Sequence, residues 1–334
     1  MPMRTGKLSL SWRIFLLILP IVTGFVCLGI GRVPIPPAEV LAALTGSPGV
    51  SVMTGMTLWN LRLPRILLAA LAGAGLSVAG CAFQSLFANP LATPDTLGVA
   101  SGASFGAALG LLLGLPLLGM QLTALIMGGV AVALTWLAGT GKSKGLSTVV
   151  LAGIMMGSLF NAMVSLVKFI ADEESQLPAI TYWLMGGLNN AAFETLLIGA
   201  PPILAGILLV YLLRWRMNLL PLSEDEARSS GVNIPLLRGT VVVCATMVTA
   251  SCVSMCGQVG WVGLLVPHMC RMKFGSNHLS LLPASVSFGA AFLMIVDTVA
   301  RSACPQEIPI SILTAIIGAP FFIILMRKSG GWSL

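Results

Sequence analysis

The stretch PLSEDEARSSGVNIPL, residues 221–236, separates two long apolar runs at 195–213 and 240–257. Four of its residues are charged within five positions, although only 9% of the whole chain is charged. Long apolar runs divided by short polar connections are typical of α-helices that cross a bilayer. We therefore predict that the charged stretch lies in an aqueous compartment, where a partner protein binds it.

The composition of the chain places it in a lipid bilayer. Its mean hydropathy is +0.97 and 57% of its residues are hydrophobic, which is more apolar surface than a soluble core of this length can bury. The net charge of +7 could suggest a nucleic-acid partner. The basic residues, however, stand at the ends of apolar runs and do not share one face of the protein, which excludes a nucleic-acid-binding protein. We predict a single transmembrane domain over residues 1–334.

The apolar runs predict an all-α, polytopic membrane protein with about ten transmembrane helices, each of about 20 residues. The weakest run is 260–272, because it is short and has Pro267 and His268 at its centre. We retain this run as a predicted span because an even number of spans places both basic termini on the same side of the membrane. The ten predicted runs are 11–30, 64–86, 97–114, 117–137, 147–170, 195–213, 240–257, 260–272, 281–299 and 308–326.

The distribution of basic residues orients this topology. Positively charged residues favour the cytoplasmic side of a membrane protein, and 13 of the 18 lysines and arginines then lie there. Both termini and the 221–236 stretch are accordingly predicted to be cytoplasmic, in a multi-pass protein of a bacterial cytoplasmic membrane. The 13 residues are Arg4, Lys7, Arg13, Lys142, Lys144, Arg214, Arg216, Arg228, Arg238, Arg271, Lys273, Arg327 and Lys328.

Five basic residues oppose this trend at the outer side, and three of them are arginines of the second and ninth runs. Arg62 and Arg65 stand at the start of the second run, and Arg301 stands near the end of the ninth, four residues after Asp297. Two structural interpretations are open. Arg62 and Arg65 extend to lipid headgroups, and Arg301 forms an ion pair with Asp297 on one helix face. The third is a docking surface for the carboxylates of a partner.

A glycine recurs every fourth residue at positions 98, 102, 106, 110 and 114. This spacing predicts a glycine face on the third span, where a neighbouring helix can approach closely. Such a face serves either static packing or the sliding of helices during transport. The residues are Gly98, Gly102, Gly106, Gly110 and Gly114.

No pattern in the chain predicts catalysis, a cofactor or a metal. Residues 139–143, GTGKS, resemble the end of a phosphate-binding loop, but Trp136 stands where that loop needs its first glycine. His268 and His278 have no ligand partners at metal-binding spacing. Seven cysteines with irregular spacing predict no disulfide framework.

Three segments together resemble one known family. They are RLPRILLAALAGAGLSVAGCAFQSLFANPLATPDTLGVASGASFG (62–106), LSEDEARSSGV (222–232) and most of residues 257–328, which begin GQVGWVGLLVPHMCRMKFGSNHLS. The chain is similar in these segments to the FecCD family, the membrane permeases of bacterial ABC importers for iron-siderophores, haem and cobalamin. The resemblance implies a type II importer-like bundle of ten helices per subunit, a homodimer, two ABC ATPase subunits and a substrate-binding protein.

The resemblance also implies roles for individual residues. The RLPR motif matches Arg62 and Arg65, and the D-x-x-A-R motif matches Arg301, so these arginines are expected to dock the binding protein. The chain departs from the family pattern at Ser230, where leucine is usual, and at 276–278. The implied ATPase-coupling residues are Leu222, Ser223, Glu224, Asp225, Glu226, Ala227, Arg228, Gly231 and Val232.

We therefore expect the permease subunit of an ABC importer that carries a bulky metal chelate, with a ferric siderophore ahead of haem and cobalamin. ATP hydrolysis is expected on the partner subunits, so the chain itself is not an enzyme. An ion-coupled secondary transporter is the alternative. It would need an acid near the middle of the membrane, for which Asp297 is the one candidate. A membrane scaffold without transport activity is a further alternative.

Overall fold

The computed structural model describes residues 8–47, 49–139, 146–222, 226 and 229–328. Every regular element in this part of the chain is helical, as the apolar runs predict. Five basic residues that were used to orient the topology lie outside it: Arg4, Lys7, Lys142, Lys144 and Arg228.

The helices alternate with short connections along the whole described chain. A π-helical turn, Thr57–Arg62, joins α3 to α4 without a break. The elements are α1 (Leu10–Gly29), α2 (Pro37–Thr45), α3 (Val52–Met56), α4 (Leu63–Leu86), α5 (Val99–Leu112), α6 (Leu117–Gly139), α7 (Leu146–Ile170), α8 (Gln176–Leu184), α9 (Phe193–Leu212), α10 (Arg214–Met217), α11 (Ile234–Cys256), α12 (Val262–Phe274), α13 (His278–Ser302) and α14 (Ile310–Lys328).

Each of the ten predicted runs coincides with a helix, but ten spans are not confirmed. In the described residues, 7 helices are long and apolar enough to cross a membrane. The other three runs correspond to α5, α12 and the apolar part of α14, which are shorter. At 1.5 Å per residue, the 13 residues of α12 extend about 20 Å, less than the hydrocarbon core of about 30 Å. Some apolar runs are longer than their helices because they continue into connections, such as 257–261, that are not helical.

The central helix of the bundle is α4, which packs against α9, α11, α12 and α13. Glycines permit its closest crossings. A Cβ atom added to Gly73 would overlap the carbonyl oxygen of Gly289 in α13, and one added to Gly80 would overlap that of Gly263 in α12. The four glycines therefore bring backbones together where side chains would hold the helices apart.

The predicted glycine face of α5 is only partly right. Gly102, Gly106 and Gly110 face α6, where a Cβ on Gly102 would lie 2.6 Å from the oxygen of Met127. Gly98 precedes the helix with φ of +73° and lies against α7. Gly114 follows the helix with φ of +64°, and nothing lies within 4 Å of its added Cβ. Positive φ suits glycine at turns, so the spacing of four combined turn glycines with packing glycines.

Different contacts between helices mark the two ends of the bundle. At one, the Ser85 hydroxyl donates to the Met217 oxygen at 3.0 Å, and the rings of Trp12 and Phe274 are 5.0 Å apart. We call this the Met217 end. At the other, Arg65 of α4 contacts Asp297 of α13. We call this the Arg65 end.

Candidate functional site

The π-helical turn before α4 directs Arg62 and Arg65 to different partners. It belongs to one continuous helix, Val52–Leu86. A π turn inserts an extra residue into the helical repeat, and such turns are common at functional sites. Here Arg65 faces α13, while Arg62 faces the connection between α1 and α2.

Arg65 is neutralised within the chain. Its Nη2 donates to Asp297 Oδ1 at 2.8 Å, and its Nη1 donates to Glu307 Oε2 at 2.8 Å. The Asp297 side chain is 0% exposed, and that of Arg65 is 11% exposed. A buried carboxylate needs such pairing, because its removal from water is costly without an opposite charge and hydrogen bonds.

Arg62 and Arg301 are held mainly by backbone oxygens. Arg62 donates to the Leu28 oxygen at 2.6 Å and to the Val33 oxygen at 2.5 Å. Arg301 donates to the Cys27 oxygen at 2.6 Å, and its Nε lies 3.7 Å from Asp297 Oδ2. Carbonyl oxygens satisfy the N–H groups of a guanidinium but do not neutralise its positive charge. Among the described residues, Arg62 therefore has no counter-ion, and Arg301 has only the more distant Asp297.

The two guanidinium groups lie beside each other at Gly31. A Cβ atom on this residue would be 2.7 Å from Arg62 Nη2 and 3.1 Å from Arg301 Nη1. The absence of a side chain therefore lets both groups approach the same piece of backbone. Two neighbouring cations repel each other, so an anion placed between them would be stabilised.

These groups line a depression of about 300 Å³ at the Arg65 end. Arg32 also lines it and donates to the oxygens of Cys304 and Pro305, which ties the 303–309 connection to the 30–36 connection. Four guanidinium groups thus meet two carboxylates, those of Glu307 at the rim and Asp297 beneath. The excess of positive charge makes the depression a suitable site for an anion.

The structure corrects the headgroup interpretation of these arginines, and it contains the predicted ion pair between Asp297 and Arg301. Arg62 and Arg65 turn into the protein and not toward headgroups. Asp297 pairs most closely with Arg65, and Arg301 is the more distant partner. Sequence reasoning missed Glu307, Arg32 and Gly31. The only signal for Glu307 was its position as an acid between Pro305 and Pro309, close after Arg301.

Only part of the predicted coupling segment is described. Ser223, Glu224, Asp225, Ala227 and Arg228 lie outside the described residues. The Glu226 oxygen accepts hydrogen bonds from the hydroxyls of Ser229 at 2.6 Å and Ser230 at 3.4 Å. Leu222 is exposed, Gly231 turns with φ of +70°, and Val232 leads into the Asn233 cap of α11. The serine that replaces the family's leucine therefore bonds to backbone.

Amide side chains hold the neighbouring helices at the Met217 end. The Asn218 Oδ1 accepts from both the backbone N–H and Nδ1 of His278, each at 2.9 Å. Its Nδ2 donates to Asn277 Oδ1 at 3.2 Å. Arg271 donates to Gln84 Oε1 at 2.7 Å. Residues 277–278, part of the second departure from the family pattern, thus attach α13 to the segment that leads into 221–236.

A separate cavity of about 410 Å³ lies between α4, α11, α14 and residues 258–264. Its lining includes Asp95, Gln258 and Trp261, and no lysine, arginine or histidine among the described residues. Asp95 accepts hydrogen bonds from the backbone of Ala100 and Ser101 at the start of α5. Burial raises the pKa of the Asp95 carboxyl, and these bonds act in the opposite direction. The cavity can hold a weakly polar group.

The chain is similar to known membrane transport proteins in sequence and in fold. The profile of the FecCD transport family matches residues 17–328. The chain is 39% identical to a molybdate import system permease protein, MolB, of Haemophilus influenzae, over 94% of each chain. It is 34% identical to the hemin transport system permease protein HmuU of Yersinia pestis, over 86% of this chain and 92% of that one. A solved structure described as an inward-facing conformation of a metal-chelate type ABC transporter matches with a TM-score of 0.87 and 39% identity, over 96% of this chain and 100% of that one.

Proposed function

The chain belongs to the FecCD transport family and is an ABC importer permease, and we propose that it carries a bulky metal chelate, in the first place a ferric siderophore. Haem and cobalamin follow in that order. The names of the relatives include molybdate, iron chelatin, hemin and cobalamin, so they support the transport class more strongly than one cargo. The weakly polar cavity of about 410 Å³ beside Trp261 is suited to holding part of a cargo through few polar contacts.

The partners in this proposal are two ABC ATPase subunits, a substrate-binding protein and a second copy of the chain. The Met217 end, with both termini, faces the cytoplasm of a bacterial inner membrane, and the Arg65 end faces outward. The 221–236 stretch couples the permease to an ATPase. The excess of positive charge at the Arg65 end is the observation that carries the proposal, because an outward anion site is suited to acidic residues of a binding protein.

The arginines have unequal parts in this docking. Arg65 already has two carboxylate partners, so it holds α4, α13 and the 303–309 connection in place. Arg62 forms no ion pair within the described residues, and Arg301 forms only the longer one with Asp297, so these two arginines supply most of the excess positive charge. They are, however, only 6% and 8% exposed. A carboxylate of the binding protein must therefore enter the depression to reach them.

Docking is tested by a pull-down of the cognate binding protein with the intact importer at low and high salt. Reversing both Arg62 and Arg301 to Glu should abolish docking, because like charges then face each other and electrostatic steering is lost. Each single reversal leaves the other guanidinium group in place, so single reversals should be milder. Raising salt should weaken docking of the unchanged protein. Normal, salt-independent binding by the double variant would remove the docking proposal.

Coupling is tested separately at Ala227. The exchange Ala227→Trp adds a large ring to the stretch that we expect to contact the ATPase, so transport should be uncoupled or the complex should dissociate. The membrane fold should be unchanged in a thermal unfolding assay. If ATPase assembly and transport both stay as in the unchanged importer, the 221–236 stretch is not the coupling element.

The cargo is identified by ATPase stimulation of the reconstituted importer with a panel of loaded binding proteins. The ion-coupled alternative is disfavoured by Asp297, because this carboxylate is fully buried and bonded to Arg65. It is not available to carry an ion through the membrane. Uptake without any ATPase would nevertheless restore that alternative.

A further inference from the structure

A long groove opens on the side of the bundle near the Met217 end, between α1, α9 and α13. Its volume is about 700 Å³. The walls are mostly apolar and come from all three helices. They include Leu16, Pro20, Ile207, Pro283, Val286 and Ala290.

The groove exists because its walls pack on different neighbours. α1 lies against α13, where the Ser287 hydroxyl donates to the Leu16 oxygen at 2.6 Å. α9 packs instead on α4 and α11. Pro20 and Pro283 lie inside α1 and α13, and each removes a backbone hydrogen bond, which permits a helix to bend. The described chain leaves the space between α1 and α9 unfilled.

The groove is open to the hydrocarbon of the bilayer. In an apolar stretch of 18 residues within α1, only 17% is buried. In the matching stretch of the continuous helix Val52–Leu86, which contains α4, 83% is buried. Leu17, which lines the groove, is 70% exposed. The apolar surface of the groove is therefore continuous with the lipid-facing surface of the protein.

Two arginines stand at the polar mouth of this groove. Arg13 donates through Nε to the Leu8 oxygen at 3.1 Å. Arg214 donates to the Tyr211 oxygen at 2.8 Å, and its guanidinium lies 3.9 Å from the centre of the Tyr211 ring. Within the described part of the chain, neither arginine forms an ion pair; the three pairs found there involve Arg65 and Arg301.

We propose that this groove binds an anionic phospholipid, whose phosphate lies between Arg13 and Arg214 and whose acyl chain follows the apolar walls. Basic residues at the end of membrane helices attract anionic headgroups, and an apolar slot between helices is suited to a chain. A zwitterionic lipid could fill the same slot, but it would not compensate the two positive charges. The lipid would hold α1 and α9 together where they do not pack on each other.

The test is native mass spectrometry of the purified importer, with phosphatidylglycerol and phosphatidylcholine of identical acyl chains as probes. The unchanged protein should retain phosphatidylglycerol preferentially. At about 1 kcal/mol for each basic residue, the double exchange Arg13→Gln and Arg214→Gln should reduce this preference about 30-fold. The exchange Ala290→Phe, which fills the groove, should reduce retention of both lipids.

Two further variants keep the test decisive. Arg216→Gln removes an exposed arginine at the same end that does not line the groove, and it should leave lipid retention unchanged. Exchanging Arg13 and Arg214 to Lys keeps both charges, so this variant should still prefer phosphatidylglycerol. A preference kept with lysine but lost with glutamine shows that the charge is responsible and not a general effect of exchanging these two residues. Equal retention of the two lipids by the unchanged protein, or unaltered preference in the glutamine variant, would overturn the proposal.

Discussion

The two ends of the bundle are held together by different chemistry. At the Arg65 end, ion pairs of Arg65 with the buried Asp297 and the partly exposed Glu307 join α4, α13 and the 303–309 connection. At the Met217 end, the side-chain contacts described above are hydrogen bonds to amides without an ion pair: Asn218 bonds to Asn277 and to His278, and Arg271 donates to Gln84. A buried ion pair is very costly to separate, whereas a neutral hydrogen bond is exchanged for water at a small net cost. The Arg65 end is therefore suited to a fixed docking geometry, and the Met217 end to movement.

This difference agrees with the proposed coupling of the 221–236 stretch to an ATPase. A conformational change driven by a partner needs an element whose contacts have two arrangements of similar free energy. Amide contacts beside the 221–236 stretch meet that requirement better than a buried charge network does. The predictions below test the comparison, beginning with the change expected to have the largest effect.

The exchange Asp297→Ala should destabilise the protein most. It leaves the guanidinium of Arg65 buried with Glu307 as its remaining ion-pair partner, and it removes the carboxylate that pairs with Arg301. Removing one partner of a buried pair costs about 3–5 kcal/mol. A thermal unfolding assay in detergent should show a large decrease in the midpoint temperature.

Glu194→Ala provides the matched control for this exchange. Glu194 is an exposed acid in the first turn of α9, and its loss should change the free energy of unfolding by no more than about 0.5 kcal/mol. If Asp297→Ala unfolds at the same temperature as the control, the charge network at the Arg65 end is not what holds that end together.

The second prediction concerns the Met217 end. Asn218→Ala removes the acceptor for two N–H groups of His278 and should destabilise the protein by about 1–3 kcal/mol, less than the loss of Asp297. Asn161→Ala, at an exposed position in α7, is the control and should have almost no effect. A greater loss of stability at Asn218 than at Asp297 would reverse the proposed contrast between the two ends.

Some of this architecture could be predicted from local sequence. Apolar runs of about 20 residues predict helices because the bilayer requires an internally hydrogen-bonded backbone, and all ten runs coincide with helices. Gly102, Gly106 and Gly110 are four residues apart and share the face of α5 that packs on α6. These features depend on residues that are close together in the chain, so periodicity is sufficient to find them.

The arrangement at the Arg65 end could not be found in this way. Arg62, Arg65 and Arg301 have the same charge and the same predicted position, so the sequence offered no reason to separate them. Their roles differ because α4 and α13 bring Arg65 against Asp297, which is 232 residues away. The crossing of Gly73 with Gly289 that permits this contact also joins distant segments. Periodicity within one helix does not specify which face of which other helix it meets.

The smallest effect is expected at Glu307, and its direction shows whether this carboxylate opposes docking of the binding protein or supports it. Glu307 is 27% exposed at the rim of the depression, so its negative charge opposes any carboxylate that enters. Glu307→Gln should tighten docking of the binding protein, by no more than about fivefold, since a partly exposed pair contributes about 0–1 kcal/mol. Glu39→Gln removes an exposed acid from α2, outside the depression, and is the control. Weaker docking by Glu307→Gln would mean that Glu307 positions Arg65 for the partner and does not oppose it. The Arg62 and Arg301 reversals would still test docking itself, because neither arginine is bonded to Glu307.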